Sequence, residues 1–368
     1  MKASKRKRVV VAMSGGVDSS VAAFLLKRGG YDVIGFTMKL WPKEECGFHK
    51  PTACCSLEGI SDARLISEKL KIPFYVLDLH EEFKKEIIDY FSNEYLNGRT
   101  PNPCILCNEK IKFGILLKKA RELDAEYIAT GHYANIIFDK RRKRFVLKEG
   151  RDKKKDQSYV LFSLTQDQLS RIKFPLGSYN KDKVRKIAKR MIFPVHAKRE
   201  SQEICFIQDS YAGYLRERFK EKLRPGSIKH EDGSILGRHR GAAFYTIGQR
   251  EGLGIAYKHA LYVKRIDLAN NAIIVGPKES TYFKDVVVKD LNWIVTPFKK
   301  HIRAMVKIRS QQKKARATLK IANGSTEIEF DRPQEAPTPG QAAVFYDRDL
   351  ILGGGWIDSA SPMIRRQQ

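Results

Sequence analysis

The chain has 368 residues, long enough for two or three domains with real apolar cores, and carries 69 Lys and Arg against 42 Asp and Glu, a formal net charge of +27 at pH 7. That excess has the sign that attracts a polyanion, so nucleic acid leads among the partner classes and an anionic membrane trails. No apolar run approaches the ~18 residues of a bilayer-spanning helix, the basic start at 1–8 leads into a short apolar strand and not a signal peptide, and six cysteines in a chain this long are no disulfide scaffold. The expectation is a cytoplasmic protein without a membrane partner, whose cysteines are reactive or metal-binding.

Up to about residue 200, strand-like apolar runs over 9–13, 33–40, 74–79 and 127–130 alternate with helical patterns over 19–28, 61–70, 81–96 and 108–123. In the third of these helices Phe83, Ile87, Tyr90 and Phe91 recur at helical spacing. Such alternation predicts βαβ units, hence an α/β class with an N-terminal doubly wound parallel sheet. Two β-rich runs over 135–147 flank the basic tip 140–144 and predict a hairpin, and 180–191 predicts a basic helix with Asn180 as N-cap. Beyond Ile207 the texture changes. A short helix at 211–219 precedes short strands at 243–247, 260–267 and 272–275. Further strands at 286–288, 302–308, 315–321, 326–330, 342–346 and 350–354 follow the pattern of a small sandwich or barrel. The domains read as 1–207 (α/β), 208–281 (small central β-rich domain) and 282–368 (C-terminal β-barrel), without an internal repeat.

The first strand runs into Ser14-Gly15-Gly16-Val17-Asp18-Ser19-Ser20 and an apolar helix begins at once. Glycines let the backbone turn tightly and approach a ligand, and helix N-terminal amides with Ser hydroxyls supply donors for phosphate oxygens. The Gly-Lys-Ser/Thr ending of a Walker A loop is missing, and with it the lysine that reaches the terminal phosphates. The string resembles a PP-loop, which grips the pyrophosphate of ATP while the α-phosphate is attacked. Asp18 is read either as orienting magnesium or as a helix cap. Met38, at the end of the second strand, is read either as an adenine contact or as a core residue.

Asn102-Pro103-Cys104-Ile105-Leu106-Cys107-Asn108 reads as a loop ahead of a helix starting near Asn108, which places Cys107 at a helix N-terminus with Lys110 and Lys112 nearby. That setting favours a nucleophilic thiolate. As a bare C-x-x-C, however, half a zinc site or a redox pair looks the same. Cys205 is flanked by apolar residues and alone reads as a buried thiol. Paired with the loop, it supplies what thiolation needs: a persulfide carrier and a thiol to resolve it. Cys46, Cys54 and Cys55 with His49 have a loose metal-like spacing that matches no zinc pattern, and read as incidental thiols of a mobile loop in preference to a metal site.

At this point the chain resembles the bacterial tRNA-specific 2-thiouridylases, the MnmA family, over nearly its whole length. The resemblance rests on A-M-S-G-G-V-D-S-S at 12–20, G-R-T-P-N-P-C-I-L-C-N at 98–108, A-T-G-H-Y-A at 129–134, K-D-Q-S-Y at 155–159, S-Q-E-I-C-F-I at 201–207 and T-P-G-Q-A-A-V-F-Y at 338–346. It implies that the first domain is the ATP-binding catalytic one, with Ala12, Met13, Ser14, Gly15, Gly16, Val17, Asp18, Ser19, Met38 and Gly131 contacting ATP. It implies Asn102, Pro103 and Cys104 at the target uridine, Cys107 as nucleophile and Cys205 as persulfide carrier. It also implies tRNA contacts at His132, Lys155, Asp156, Gln157, Arg309, Ser310 and Gln341.

Arg309 and the basic set Lys299, Lys300, Arg303, Lys307, Lys313, Lys314 and Arg316 also fit phosphate contacts on charge alone. Some family members carry Asp in place of Cys104, so that carboxylate's acid/base role does not carry over. With Cys104, Cys107 and Cys205 all present, a three-thiolate iron–sulfur site is the disfavoured alternative to the persulfide. Ser310 stands where the family is often aromatic, which weakens base stacking there. The implied cofactors are ATP and Mg2+, with no protein-held metal site. The implied partners are tRNA and a persulfide donor, either a cysteine desulfurase or a sulfur-relay protein, with the chain acting as a monomer. The expected reaction is adenylation of the wobble uridine O2, with the base flipped into a cleft between the domains, followed by sulfur transfer. A small-metabolite PP-loop ligase and a non-enzymatic RNA-binding protein are the rival classes, and neither accounts for loop, charge and cysteine pair together.

Overall fold

Three valines without exposed surface make up most of strand β1 (Arg8–Ala12). A strand apolar on both faces belongs inside a sheet covered on both sides, the setting of parallel α/β folds. The computed structural model describes residues 6–40, 56–198, 204–207, 211–220 and 223–361, so Cys46, His49, Cys54, Cys55 and Ser201–Glu203 of the sequence reading lie outside the described residues. Two compact units emerge: Met1–Ile88 with Cys104–Gln208 and Asp349–Ile351, and Asp89–Pro103 with Asp209–Arg348 and Leu352–Gln368.

In the first unit β1 is joined by β2 (Asp32–Lys39), β3 (Phe74–Asp78), β4 (Tyr127–Ala129), the hairpin β5 (Ala134–Asp139) and β6 (Arg144–Glu149), and the short β7 (Ile172–Lys173). Five of them form one parallel sheet in the order β3-β2-β1-β4-β7. The order reverses between β1 and β4, and open α/β sheets bind ligands beyond the carboxyl ends of the strands at such a switch. Helix α1 (Val17–Arg28) leaves the end of β1, and α2 (Leu57–Lys69) starts ahead of the expected 61 because Ser56 caps it by accepting from the Gly59 N–H. In chain order there follow α3 (His80–Phe83), a π-helical stretch Lys84–Ile88, α4 (Asp89–Leu96), which belongs to the second unit, α5 (Pro103–Leu106), a second π-helical stretch Cys107–Ile115, α6 (Leu116–Glu122), α7 (Gln166–Arg171) and α8 (Lys181–Arg190). Val17, Val21 and Ala22 of α1 share one buried cluster with Val184 and Ala188 of α8 and with Val9 and Val11 of β1.

One expectation is corrected here. The helix expected to start near Asn108 starts at Pro103, because proline at a first helical position loses no needed N–H and brings its φ already set. Cys104 and Cys107 therefore ride on helical turns, Cys107 opening the π-helical stretch, and neither lies in a preceding loop.

The second unit holds a four-stranded sheet and a barrel. The sheet is built from β8 (Gly226–His230), β9 (Ile235–His239), β10 (Tyr262–Asp267) and β11 (Ala272–Gly276), in the order β10-β11-β8-β9. Helix α9 (Tyr211–Phe219) precedes it, and Tyr211 stacks on Tyr95 of α4 with ring centroids 5.0 Å apart. The strand expected at 243–247 is absent: Ala242–Phe244 is a 3-10 turn between Gly241 and Gly248, both in positive-φ conformations that end extended structure.

The barrel uses β12 (Tyr282–Trp293), β13 (His301–Lys307), β14 (Ala315–Ala322), β15 (Ser325–Glu335), β16 (Ala342–Asp347) and β17 (Leu350–Ser361). Their order β12-β15-β14-β13-β16-β17 closes through an antiparallel β12–β17 pairing. The α/β domain, the β-rich central domain and the C-terminal barrel are thus all present. No helix among the described residues is long and apolar enough to cross a membrane.

Phe330 is wholly buried in the barrel core beside Leu319, Ile328 and Phe345. Phe330→Ala is expected to cost about 3–5 kcal/mol of barrel stability, read by urea unfolding followed through the fluorescence of Trp293, whose ring lies 5.3 Å from Phe345.

Candidate functional site

Beyond the carboxyl end of β1 the backbone turns at Gly15 with φ +67°, where a Cβ would stand 2.2 Å from the Gly59 carbonyl oxygen at the start of α2. Only glycine allows both the left-handed turn and that approach. Gly16 then caps α1 without any side chain closing the helix end, which leaves first-turn amides facing outward where an anion is favoured. Ser19 fixes the loop from within: its hydroxyl accepts from the Ser14 N–H at 3.2 Å and donates to the Gly16 carbonyl at 3.1 Å.

After β4 the chain returns to the same place. A Cβ on Gly131 would lie 2.8 Å from Asp18 and from the Ser19 nitrogen, so the switch-point loop is seated directly on the first turn of α1. The expected nucleotide set Ala12–Ser19 and Gly131 is brought together. Met38 is nearly buried in β2, paired in register with Leu77.

Asp18 does not cap α1. Its carboxylate accepts from Lys181 Nζ at 2.8 Å on both oxygens and from the Tyr133 hydroxyl at 2.7 Å. Sequence reasoning missed both partners. Tyr133 lay inside the A-T-G-H-Y-A string, and Lys181 had one readable signal: a cation in the first turn of a helix opposes the helix dipole and so wants another reason to be there.

The residues expected at RNA are held by defined contacts. His132 is buried between the rings of Phe113 and Phe174, with Nδ1 2.6 Å from the Thr130 hydroxyl. Burial, and secondarily the charge of Lys112, hold it well below the ordinary imidazole range. Asp156 accepts from the Gly150 N–H and the Ser158 hydroxyl, both at 2.8 Å, and burial pushes its carboxyl up despite those bonds. Gln157 is locked to Tyr133 by reciprocal bonds of 3.0 Å, and Lys155 beside it is half-buried.

In the second unit the Gln341 amide donates to the carbonyls of Thr100 at 3.0 Å and Pro101 at 3.3 Å, tying down the stretch that leads to Asn102 and Pro103. Arg309 donates to the Ala336 carbonyl at 2.7 Å, and Ser310 is exposed. Of the basic barrel residues, Arg303 is committed to Asp331 at 2.6 Å and Lys314 to the Arg348 carbonyl at 2.7 Å, while Lys299, Lys300, Lys313 and Arg316 are exposed.

Cys104 is exposed and Cys107 and Cys205 are half-buried, all three as thiols. Phe206, next to Cys205, is buried against Phe83 of α3 with centroids 6.0 Å apart, and α3 also packs against the stretch Cys107–Ile115. The segments that carry the two cysteines thus both pack against α3. Among the described residues no group of three or more His, Cys, Asp or Glu side chains is spaced to hold a metal ion.

Family models match the chain over three stretches: the tRNA methyl transferase HUP domain over residues 7–209, the tRNA methyl transferase PRC-barrel domain over 212–277 and the aminomethyltransferase beta-barrel domain over 283–357. The chain is 49% identical over 358 residues to the tRNA-specific 2-thiouridylase MnmA 2 of Caldanaerobacter subterraneus subsp. tengcongensis, covering 96% of this chain and 98% of that one. It is 49% identical over 357 residues to the tRNA-specific 2-thiouridylase MnmA of Moorella thermoacetica, with 96% and 99% covered. With the protein of the same name from Clostridioides difficile the figures are 47% over 357 residues, and again 96% and 99%.

The depressed basicity of His132 has a sign that can be measured. The unfolded chain takes up a proton below about pH 6.5 that the folded chain refuses, so this contribution to stability is complete above that pH and is lost as pH falls below it. Urea unfolding at about pH 7.5 and about pH 5.5 should show a smaller loss on acidification for His132→Gln than for the unsubstituted chain; equal losses would refute a buried neutral imidazole.

Proposed function

We propose, since the chain belongs to the MnmA family of tRNA-specific 2-thiouridylases, that it carries out the ATP-dependent 2-thiolation of the wobble uridine of tRNA. The observation that carries this reading is the uncapped first turn of α1, seated on Gly131 and rimmed by Ser14 and Ser19, a built cradle for a pyrophosphate group.

In this reading the uridine O2 attacks the α-phosphate of ATP and pyrophosphate departs into the loop, leaving C2 bonded to an AMP oxygen as leaving group. The terminal sulfur of a Cys205 persulfide attacks C2 and AMP leaves; the Cys107 thiolate then attacks Cys205 Sγ, breaking the S–S bond. C2 keeps the sulfur, and a Cys107–Cys205 disulfide remains for an external dithiol to reduce. Alternatively Cys107 first releases the sulfur from the persulfide, with the same disulfide as end point. That the segments carrying both cysteines pack against α3 supports either route.

Asp18 is the carboxylate that fits the magnesium accompanying ATP: it is partly exposed at the loop, and one carboxylate plus phosphate oxygens is a common Mg2+ environment. Bound there, the ion neutralises charge on the departing pyrophosphate. We assign Asn102, Pro103 and Cys104 to the target base, and His132, Lys155, Asp156, Gln157, Arg309, Ser310 and Gln341 to the tRNA-binding surfaces. Among these, Asp156 and Gln341 act by shaping backbone, given where their polar atoms are spent. Exposed Lys299, Lys300, Lys313 and Arg316 supply phosphate contacts on the barrel.

Incubation with Mg·ATP, a persulfide-generating desulfurase and bulk tRNA, followed by nucleoside mass analysis, is expected to yield 2-thiouridine only when ATP is present. Cys205→Ser should still consume ATP on tRNA yet form no thiolated base, and Cys107→Ser should likewise stop product. Thiolation by the Cys205 variant would overturn the assignment, and ATP turnover without thiolated base would redirect it to small-molecule acceptors. Gly131→Ala, whose methyl has no room against Asp18, should lower kcat/KM for ATP by ~10–100-fold while the fold, read by circular dichroism, persists.

A further inference from the structure

The loop from Ala12 to Ser19 contains one carboxylate, Asp18, and no cation. Its one formal charge therefore opposes a polyphosphate that the helix amides attract. The structure supplies the missing charge from far along the chain: Lys181, 163 residues away, reaches both oxygens of Asp18 at 2.8 Å with its side chain only 9% exposed. Building on the ATP-binding reading above, we propose that Lys181 is the pyrophosphate-binding cation that the loop's own sequence lacks, held in place by Asp18 until the anion arrives.

Three observations support this. First, the placement opposes what stability alone favours: Lys181 begins α8, where the helix dipole disfavours a cation, and a largely buried ion pair contributes little net stability compared with apolar residues in the same space. Second, the ammonium is aimed. The Lys181 N–H donates to Asp152 Oδ2 at 3.0 Å, fixing the start of α8, and the Tyr133 hydroxyl holds Asp18 from another side at 2.7 Å. Third, Asp18 lies in the first turn of α1, against Gly131, so a phosphate bound to the helix amides arrives within reach of the same ammonium. As Asp18 turns toward the metal of Mg·ATP, Lys181 exchanges a carboxylate oxygen for a phosphate oxygen and no charge is left uncompensated.

The decisive experiment compares binding of inorganic pyrophosphate, by calorimetry in EDTA and again in magnesium, to the full chain, to Asp18→Asn and to Asp18→Asn/Lys181→Met. If the lysine merely neutralises Asp18, removing it costs nothing once Asp18 is already neutral. If it binds phosphate, the double variant binds metal-free pyrophosphate about tenfold or more weakly than Asp18→Asn, as expected for one charge pair near a protein surface, and Lys181→Arg on the Asp18→Asn background restores most of the loss. Asp18→Asn itself should bind metal-free pyrophosphate more tightly than the unsubstituted chain and Mg·ATP more weakly. Equal binding by Asp18→Asn and the double variant overturns the proposal. Absence of pyrophosphate binding by the unsubstituted chain in both media overturns the phosphate-loop reading on which it rests. Neither Asp18→Asn nor the double variant leaves an unpaired carboxylate, and melting curves report their folding.

Discussion

No side chain fits between the loop that follows β4 and the first turn of α1, and most of the first unit is arranged around that contact. Gly131 meets Asp18 and Ser19 at a distance that excludes even a methyl group, and Gly15 meets Gly59 more closely still. Two backbone approaches without intervening Cβ atoms require β1 and β4 to be neighbours, α1 to leave β1 without a linker and α2 to start where Ser56 caps it. The parallel sheet, the apolar faces of α1 and α8 and the valine-rich centre serve to hold those few backbone atoms in register. Tight packing of this kind transmits small displacements instead of absorbing them.

Around the contact the polar groups are wired in series. Tyr133 binds Asp18 with its hydroxyl and Gln157 with its backbone, while Asp156 pins the turn from Gly150 to Ser158. The residues we assign to the nucleotide and those we assign to RNA therefore share one hydrogen-bonded frame within the first unit. The second unit uses a similar economy: Gln341 spends its amide on the carbonyls ahead of Asn102, so a barrel residue shapes the segment that leads into the cysteine motif.

The parallel strands were legible because burial on both faces makes each an uninterrupted apolar run, and the phosphate loop because glycine, serine and helix onset coincide in one short string. The start of the cysteine helix was not: the prolines at 101 and 103 read as loop punctuation, although Pro103 occupies the one helical position where proline is welcome. Strands β8 and β9 were overlooked because Ser-Ile-Lys-His and Leu-Gly-Arg-His carry few apolar residues and pair partly through backbone regularity. The residues at 243–247 passed for a strand because β-forming side chains outweighed the two flanking glycines. The partner of Lys181 was beyond local reading, since what gives that lysine its meaning is a carboxylate contributed by a different helix. Local pattern reports what a residue prefers; only the packed chain reports what it faces.

The C-terminal barrel closes by pairing its first strand with its last, Val286 opposite Ala360 and Trp293 opposite Gly353. The chain therefore enters and leaves this module at a single seam, and no strand is left with an open edge. Such a module suits circular permutation, because its two ends already meet and a new break at one of its turns leaves the strand order intact.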